Sequence, residues 1–242
     1  MKRALSIVRG PVVDFWSGMD RCLDHGMRGL VLMIVGMLAG WWIYVPVHEL
    51  MHVLGCVITG GEVRELQVDA LYGGTLLAGI FDFVVVGSDY AGQLTDFDRT
   101  PDARYLSTVV MPFVLTVFPG VWLLRRFGSR GRPFLFGAVL PMALAPFMSW
   151  TGDAYETGSI VATWLPPWSS PAMREILRGD DIVMHAGKVA EVTPSPWLGW
   201  AVAALVGTVW AFGTYALGAG VANRLPSPES QAQRPSKAAL RR

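Results

Sequence analysis

Charged residues are scarce in this chain of 242 residues. Asp, Glu, Lys and Arg together make up 16% of it, against about 25% in a typical soluble domain. Hydrophobic residues make up 52%, and the mean hydropathy is +0.39. The formal net charge of +1 leaves no general basic character of the kind that nucleic-acid binding requires. We therefore expect an integral membrane protein that contacts the lipid bilayer and does not bind nucleic acid.

Cysteine and histidine are also rare, and their scarcity excludes several metal and redox classes. Cys22 and Cys56 are the only cysteines, and neither belongs to a C-x-x-C pair, so a disulfide framework and a thiolate metal site are not expected. Four histidines are too few for the histidine-rich di-iron membrane oxidases. Two of the four lie four residues apart, which concentrates the metal-binding potential of the chain at one place.

Long uncharged stretches predict the architecture. A helix needs about 20 apolar residues to cross the hydrocarbon core of a bilayer. The sequence predicts an all-α polytopic membrane protein with four transmembrane helices, at about residues 29–52, 105–125, 133–153 and 197–220. After the first span, alternating residues around a "YGG" turn predict a β-hairpin over residues 63–86.

The remaining segments complete the predicted organisation. We expect residues 1–27 to form a cytoplasmic amphipathic segment, because apolar residues there can share one helical face. Residues 28–223 form the membrane domain. Residues 224–242 are polar and rich in proline and serine, and we expect a disordered cytoplasmic tail.

The distribution of basic residues predicts the orientation. Of the 20 Lys and Arg residues, five precede the first span, four lie between the second and third spans, and five follow the fourth. Because basic residues near span ends are retained in the cytoplasm, both termini are expected inside. The end of the first span then faces the outer side of what we expect to be a bacterial-type plasma membrane.

The first span ends in the sequence "VPVHELMHVLG", which contains an H-E-x-x-H motif. On a helix, His48 and His52 project from one face, so their imidazoles can bind one zinc ion while Glu49 acts on zinc-bound water as general base. Ionisable groups in a membrane helix are costly and indicate function. The extended motif of soluble metalloproteases fails here, because Ile58 stands where its third histidine belongs.

A catalytic zinc site takes three protein ligands, so a third must lie elsewhere in the chain. The first and third predicted helices run parallel, and Asp153 ends the third helix at the same outer level as His48 and His52. Asp153 is therefore the preferred third ligand. Glu156, one helical turn later, and His185, in the second outer loop, remain alternatives.

These residues resemble the site-2 proteases, which are intramembrane zinc metalloproteases. The resemblance rests on "VHELMHVLGCVITGGEVRELQV", where the motif is followed by a glycine-led turn and a strand, and on Asp153 two spans later. It covers about residues 28–157 and implies a compact, divergent member without a PDZ domain, built on a three-helix core. It also implies that Glu49 is catalytic, that His48, His52 and Asp153 bind Zn²⁺, and that the substrate is a membrane-anchored protein.

Such a substrate must be extended before its peptide bond can be attacked, because a helix encloses its carbonyls in hydrogen bonds. The predicted hairpin offers a strand edge on which an extended substrate can pair. The alternative function is a catalytically inactive, metalloprotease-like membrane scaffold or zinc-binding protein. The zinc content of the purified protein and the presence of an open coordination position distinguish the two.

Overall fold

The computed structural model describes residues 2–225, which fold mostly into helices beside one small sheet. The long helices are α1 (Lys2–Leu23), α2 (Gly26–Val57) and α12 (Trp197–Arg224). The shorter helices are α3 (Gly74–Ala78), α4 (Asp102–Val110), α5 (Phe113–Leu115), α6 (Val121–Ser129), α7 (Pro133–Ala143), α8 (Ala145–Met148), α9 (Tyr155–Ala162), α10 (Pro171–Leu177) and α11 (Ile182–Glu191). The strands are β1 (Val63–Val68), β2 (Val84–Val86) and β3 (Gly92–Phe97).

Two helices in the described part of the chain, α2 and α12, are long and apolar enough to cross a membrane. A third crossing exists if α4 and the segment Phe113–Ser129, which meet at a bend of 46°, are counted as one span. Helix α7 has 11 residues, about half the length that a crossing needs. The membrane character is thus supported, and the count of four spans stays a prediction.

The second and third apolar segments are not continuous helices, contrary to the prediction. In the second, Phe118 has extended backbone angles immediately before Pro119. In the third, the helix ends at Ala143 and again at Met148, and Gly152 has non-helical angles of φ −102° and ψ −110°. Proline removes a backbone donor and clashes with the preceding turn, which accounts for the break before Pro119.

Helices α2 and α7 pack closely and run parallel, as the topology predicted. A Cβ atom added at Gly36 would lie 2.1 Å from the carbonyl oxygen of Phe134, and one added at Gly40 would lie 2.0 Å from that of Ala138. From the first contact to the second, the position moves four residues toward the C-terminus in both helices, so the two helices run parallel. Glycine is required here because any side chain would push the two backbones apart.

The predicted β-hairpin over residues 63–86 is wrong in its pairing. The sheet has the order β2-β1-β3, in which β1 pairs parallel with β2 and antiparallel with β3. The "YGG" stretch does not turn directly into a second strand. Asp69 caps a short 3₁₀ turn, Gly73 adopts a left-handed φ of +85°, and α3 follows. This helical detour returns the chain to the start of the sheet, so β2 must lie parallel to β1.

The main apolar core lies where α1, α6, α7 and α12 meet. It contains fully buried side chains from each of these helices, namely Cys22, Val121, Leu124, Phe136 and Tyr215. Helix α1 is amphipathic and contributes Cys22 to this core. Residues 226–242, which make up most of the predicted disordered tail, lie outside the described residues.

Candidate metal centre

The ring nitrogens of His48 and His52 point at one another from successive turns of α2. Their Nε2 atoms are 3.1 Å apart, because residues four apart share one face of a helix. Asp153 completes the group, with Oδ2 3.0 Å from His48 Nε2 and Oδ1 3.6 Å from His52 Nε2. One ligand atom from each residue lies within 4.8 Å of the other two, so this group can hold a metal ion.

The separation of the two histidine nitrogens is compatible with a tetrahedral ion. Zinc–nitrogen bonds of about 2.0–2.1 Å at tetrahedral angles place two ligand nitrogens about 3.3 Å apart, close to the separation observed between the histidines. Asp153 Oδ2 is buried, and it faces His48 Nε2 at 3.0 Å without forming a hydrogen bond of good geometry. A cation bound between these two atoms would compensate the buried carboxylate oxygen.

The opposite ring nitrogens of both histidines are held by hydrogen-bonding groups. His52 Nδ1 donates to the carbonyl oxygen of Thr108 over 2.8 Å, and His48 Nδ1 lies 3.0 Å from the hydroxyl of Tyr44. A carbonyl oxygen can only accept, so the proton of neutral His52 resides on Nδ1 and Nε2 keeps its lone pair. Such outer hydrogen bonds orient histidine ligands and fix their tautomers in metal sites.

Thr108 reaches His52 because α4 packs directly on α2. A Cβ atom added at Gly55 would lie 2.5 Å from the carbonyl oxygen of Ser107 and 2.9 Å from Cα of Thr108. The Ser107 hydroxyl donates to the carbonyl of Gly55 over 3.1 Å and ties the two helices together. Gly55 therefore sets the distance between α4 and the metal-binding face of α2.

Asp153 lies in an irregular turn between α8 and α9, at residues Trp150–Ala154, and not at the end of a straight helix. Ala154 N–H donates to the carbonyl of Ser149 over 3.2 Å, in place of a regular helical bond. The wider turn rotates Asp153 toward α2. Thus the prediction placed Asp153 at the right level with the wrong local backbone.

Glu49 lies beside the metal-binding group and is 8% exposed. No described side chain donates a hydrogen bond to its carboxylate. The backbone of β3 lies directly against it, since a Cβ atom added at Gly92 would be 2.5 Å from Glu49 Cγ and 3.2 Å from Oε1. The absence of a side chain at Gly92 therefore leaves the room in which Glu49 extends toward the histidines.

A cavity of about 420 Å³ opens over these residues. Its walls include α2, the first residues of β3, the turn around Asp153, and the loop before α11, so the membrane helices and the sheet enclose it together. Aromatic and apolar side chains supply most of the remaining lining, among them Trp41, Tyr90, Phe97 and Met148. The size is that of a site for a ligand or a short peptide segment.

The two alternative third ligands are engaged elsewhere. Glu156 lines the same cavity, but the Tyr105 hydroxyl donates a hydrogen bond to its Oε1. His185 is buried, with Nε2 donating to the Ile176 carbonyl and Nδ1 accepting from the Tyr155 hydroxyl, each over 2.6 Å. Burial lowers the pKa of His185, which favours this neutral form. The structure thus favours Asp153 by position.

One group of charged residues outside the long apolar helices lies on the sheet. Arg64 of β1 contacts Asp96 of β3 over 2.8 Å and Asp98 over 2.9 Å, which ties the two strands together at the end remote from Gly92. The hydrogen bond from Arg64 lowers the pKa of Asp98. This ion-pair group is exposed and holds its charges away from the cavity.

Three residues of the site escaped prediction from the sequence. Tyr44 lies four residues before His48, so helical spacing alone carried a signal for it. Thr108 acts through its backbone carbonyl, and Gly92 acts through the absence of a side chain. Neither of these two has a signature in residue type or spacing.

Comparison with known proteins finds no family model, no curated protein and no solved structure that matches this chain. The functional argument therefore rests on the geometry of the site.

Proposed function

We propose that this protein is a membrane-embedded zinc metalloprotease of the site-2 protease type that cleaves a membrane-anchored protein. The observation that carries the proposal is the convergence of His48, His52 and Asp153 on one point, with Glu49 buried beside them at the wall of a cavity. Two imidazoles and one carboxylate form a donor set typical of catalytic zinc sites, which leave one position for water.

The residues divide into distinct roles in peptide hydrolysis. A bound zinc ion would act as a Lewis acid and make a coordinated water more acidic. His48 Nε2, His52 Nε2 and one oxygen of Asp153 hold the ion, while Tyr44 and Thr108 fix the two imidazole rings. The Glu49 carboxylate accepts a proton from the attacking water and donates it to the nitrogen of the leaving amine.

The sheet supplies an edge for the substrate, and that edge belongs to β3, not to the predicted hairpin. The Ala91 carbonyl accepts from Asp69 N–H over 3.1 Å, so Ala91 faces β1. Because backbone direction alternates along a strand, the N–H and C=O groups of Gly92 and Leu94 face away from β1. Both residues line the cavity, so an extended substrate pairing there lies next to Glu49.

Orientation and location follow from the charge distribution as parts of the same proposal. With both termini in the cytoplasm of a bacterial-type plasma membrane, the cavity opens toward the outer side. Four crossings satisfy this arrangement only if α4–α6 and the segment from α7 to α9 each cross as broken helices. Irregular backbone at membrane depth is tolerated where it is buried in protein or lines a water-filled cavity, which is the position of the turn around Asp153.

The test combines zinc analysis with cleavage of a membrane-anchored substrate by purified protein in detergent. We expect one zinc per chain in the wild type, loss of zinc in His48→Ala, and retained zinc without cleavage in Glu49→Gln. Cleavage by Glu49→Gln at the wild-type rate would contradict the catalytic role of Glu49. Zinc in the wild type without hydrolysis of any membrane substrate would favour the inactive scaffold.

A further inference from the structure

Helix α1 lies across the ends of three other helices. Near its start, Gly10 packs on the ring of Tyr215 in the last third of α12. Further along, Gly18 packs on Gly128 at the end of α6 and on Phe136 at the start of α7. The contacts of Gly18 lie at the end of the bundle that carries the predicted cytoplasmic loops, and the contact of Gly10 lies nine residues before the end of α12, so α1 packs on the outside of the bundle beside that end.

A partly buried polar group fixes α1 in this position. Asp14 Oδ2 accepts from Arg125 Nε and from the Tyr215 hydroxyl, each over 2.7 Å. Arg125 Nη1 also donates to Asn223 Oδ1 over 2.9 Å. One aspartate of α1 thus joins α6 and α12, so the orientation of α1 about its own axis is set.

With this orientation, α1 has three faces. Pro11, Gly18 and Cys22 are buried against the bundle. Polar residues, including Arg9, Ser17 and Asp20, form most of a second, exposed face, on which Val13 is exposed as well. The third face is an apolar strip of Leu5, Val8, Val12 and Trp16, which recur every three or four residues and are 53%, 52%, 55% and 57% exposed.

We propose that this apolar strip inserts into the boundary between headgroups and acyl chains of the cytoplasmic leaflet, with anionic lipid headgroups beside it. The strip projects sideways from a helix that already lies along the end of the bundle, which is the geometry of an interfacial helix. Trp16 belongs to the residue type enriched at this depth. The choice of leaflet rests on the orientation given under the proposed function, and the contact with lipid does not depend on proteolysis.

The charge of this end of the bundle is complementary to an anionic leaflet. It carries three acidic residues in and after α1, Asp14, Asp20 and Asp24. The arginines outnumber them and comprise Arg9, Arg21, Arg28, Arg125, Arg126, Arg130, Arg132 and Arg224. Basic residues close to a cytoplasmic leaflet are attracted by its negative surface potential.

The remaining segment of this chain does not fit the strip. Residues 226–242 read "PSPESQAQRPSKAALRR", in which Leu240 is the only large apolar residue. The four large side chains of the strip extend from Leu5 to Trp16, so they need a continuous apolar partner. A lipid surface provides one. A second copy of the chain is the competing occupant, and the experiment separates it from lipid.

The test places a nitroxide label on single cysteines of the full-length protein, in bilayers of phosphatidylcholine with phosphatidylglycerol. The native Cys22 and Cys56 are replaced by Ala. Val12→Cys reports the apolar strip, and Ser17→Cys, one and a half turns away on the polar face, is the matched control. Both positions are exposed in the structure, so the labels leave the packing of α1 intact.

We expect the label at position 12 to be relaxed more by oxygen, which concentrates in lipid, than by a water-soluble nickel chelate, and the label at position 17 to show the reverse. Equal access of nickel to both labels would overturn the proposal. Spin–spin broadening at position 12 that disappears on mixing with unlabelled protein would also overturn it, because it would place a second copy on the strip. The same pattern in Leu5→Cys and Asp20→Cys would extend the result along the helix.

Discussion

The hydroxyl of Tyr44 offers a direct test of the candidate metal centre, because it contacts His48, a proposed zinc ligand, without being a proposed ligand itself. In Tyr44→Phe the ring stays and the contact of 3.0 Å with His48 Nδ1 is lost. Loss of an outer partner of this kind typically weakens metal binding by about 10-fold to 100-fold, which is about 1.4 to 2.7 kcal/mol. The Tyr44 hydroxyl is neutral, and a neutral hydrogen bond contributes about 0.5–1.5 kcal/mol. We therefore expect zinc affinity to fall by about 10-fold.

The assay is a competition titration of purified protein in detergent, with a zinc-binding indicator of known affinity. Tyr72→Phe is the matched control, because its hydroxyl accepts a hydrogen bond of 3.3 Å from Trp41 Nε1 and lies outside the metal-binding group. It should bind zinc as the wild type does. An unchanged zinc affinity in Tyr44→Phe would refute the reasoning that His48 binds through Nε2 and is oriented through Nδ1. Complete loss of zinc would make Tyr44 itself a ligand.

Two further perturbations test the surroundings of the site. Gly92→Ala places a methyl group 2.5 Å from Glu49 Cγ, so Glu49 must move by about 1 Å to reach ordinary carbon contact. We expect substrate cleavage to be about 100-fold slower while the zinc content is unchanged. The control Gly187→Ala, where an added methyl group meets no other atom, should have wild-type activity. Slower cleavage together with zinc loss would show instead that the strand supports the ligands. Burial lowers the pKa of His185 in the folded state, so its contribution to stability is present above the ordinary histidine pKa of about 6.5 and is lost as pH falls further. Thermal unfolding should therefore show less loss of stability at acidic pH in His185→Gln than in the wild type, and an equal loss in both would exclude His185 as the cause.

The metal centre was predictable to the extent that it depends on helical spacing and on topology. The spacing of four residues brings His48 and His52 together on any straight helix. The parallel direction of α2 and α7 follows from the single span predicted between them, and it brings Asp153 to the same end of the bundle. These inferences need no knowledge of side-chain packing, which is why they agree with the observed arrangement.

The sheet was not predictable to the same extent, because strand partners are set by contacts between distant segments. Alternation over residues 63–86 indicates extended chain but does not name its partner. The antiparallel partner of β1 is β3, which lies beyond that window, and the intervening chain turns helical after Asp69. The error has a functional consequence, since it moved the expected substrate edge away from the strand that contacts Glu49.

The prediction of continuous spans failed at the turn that carries Asp153, the proposed third ligand. A straight helix through residues 133–153 would direct each side chain by helical geometry alone. The observed helix ends at Met148. A wide turn follows, held by the hydrogen bond from Ala154 N–H to the Ser149 carbonyl, and it directs Asp153 toward the histidines. The helix is interrupted at the position where the Asp153 carboxylate faces two imidazoles across a cavity, and departures from regular local structure are expected at functional sites. Replacing Gly152 with Ala favours helical angles at the residue whose non-helical angles shape this turn. The variant should therefore lose zinc while keeping all three ligands, which a measurement of zinc per chain beside Gly187→Ala can decide.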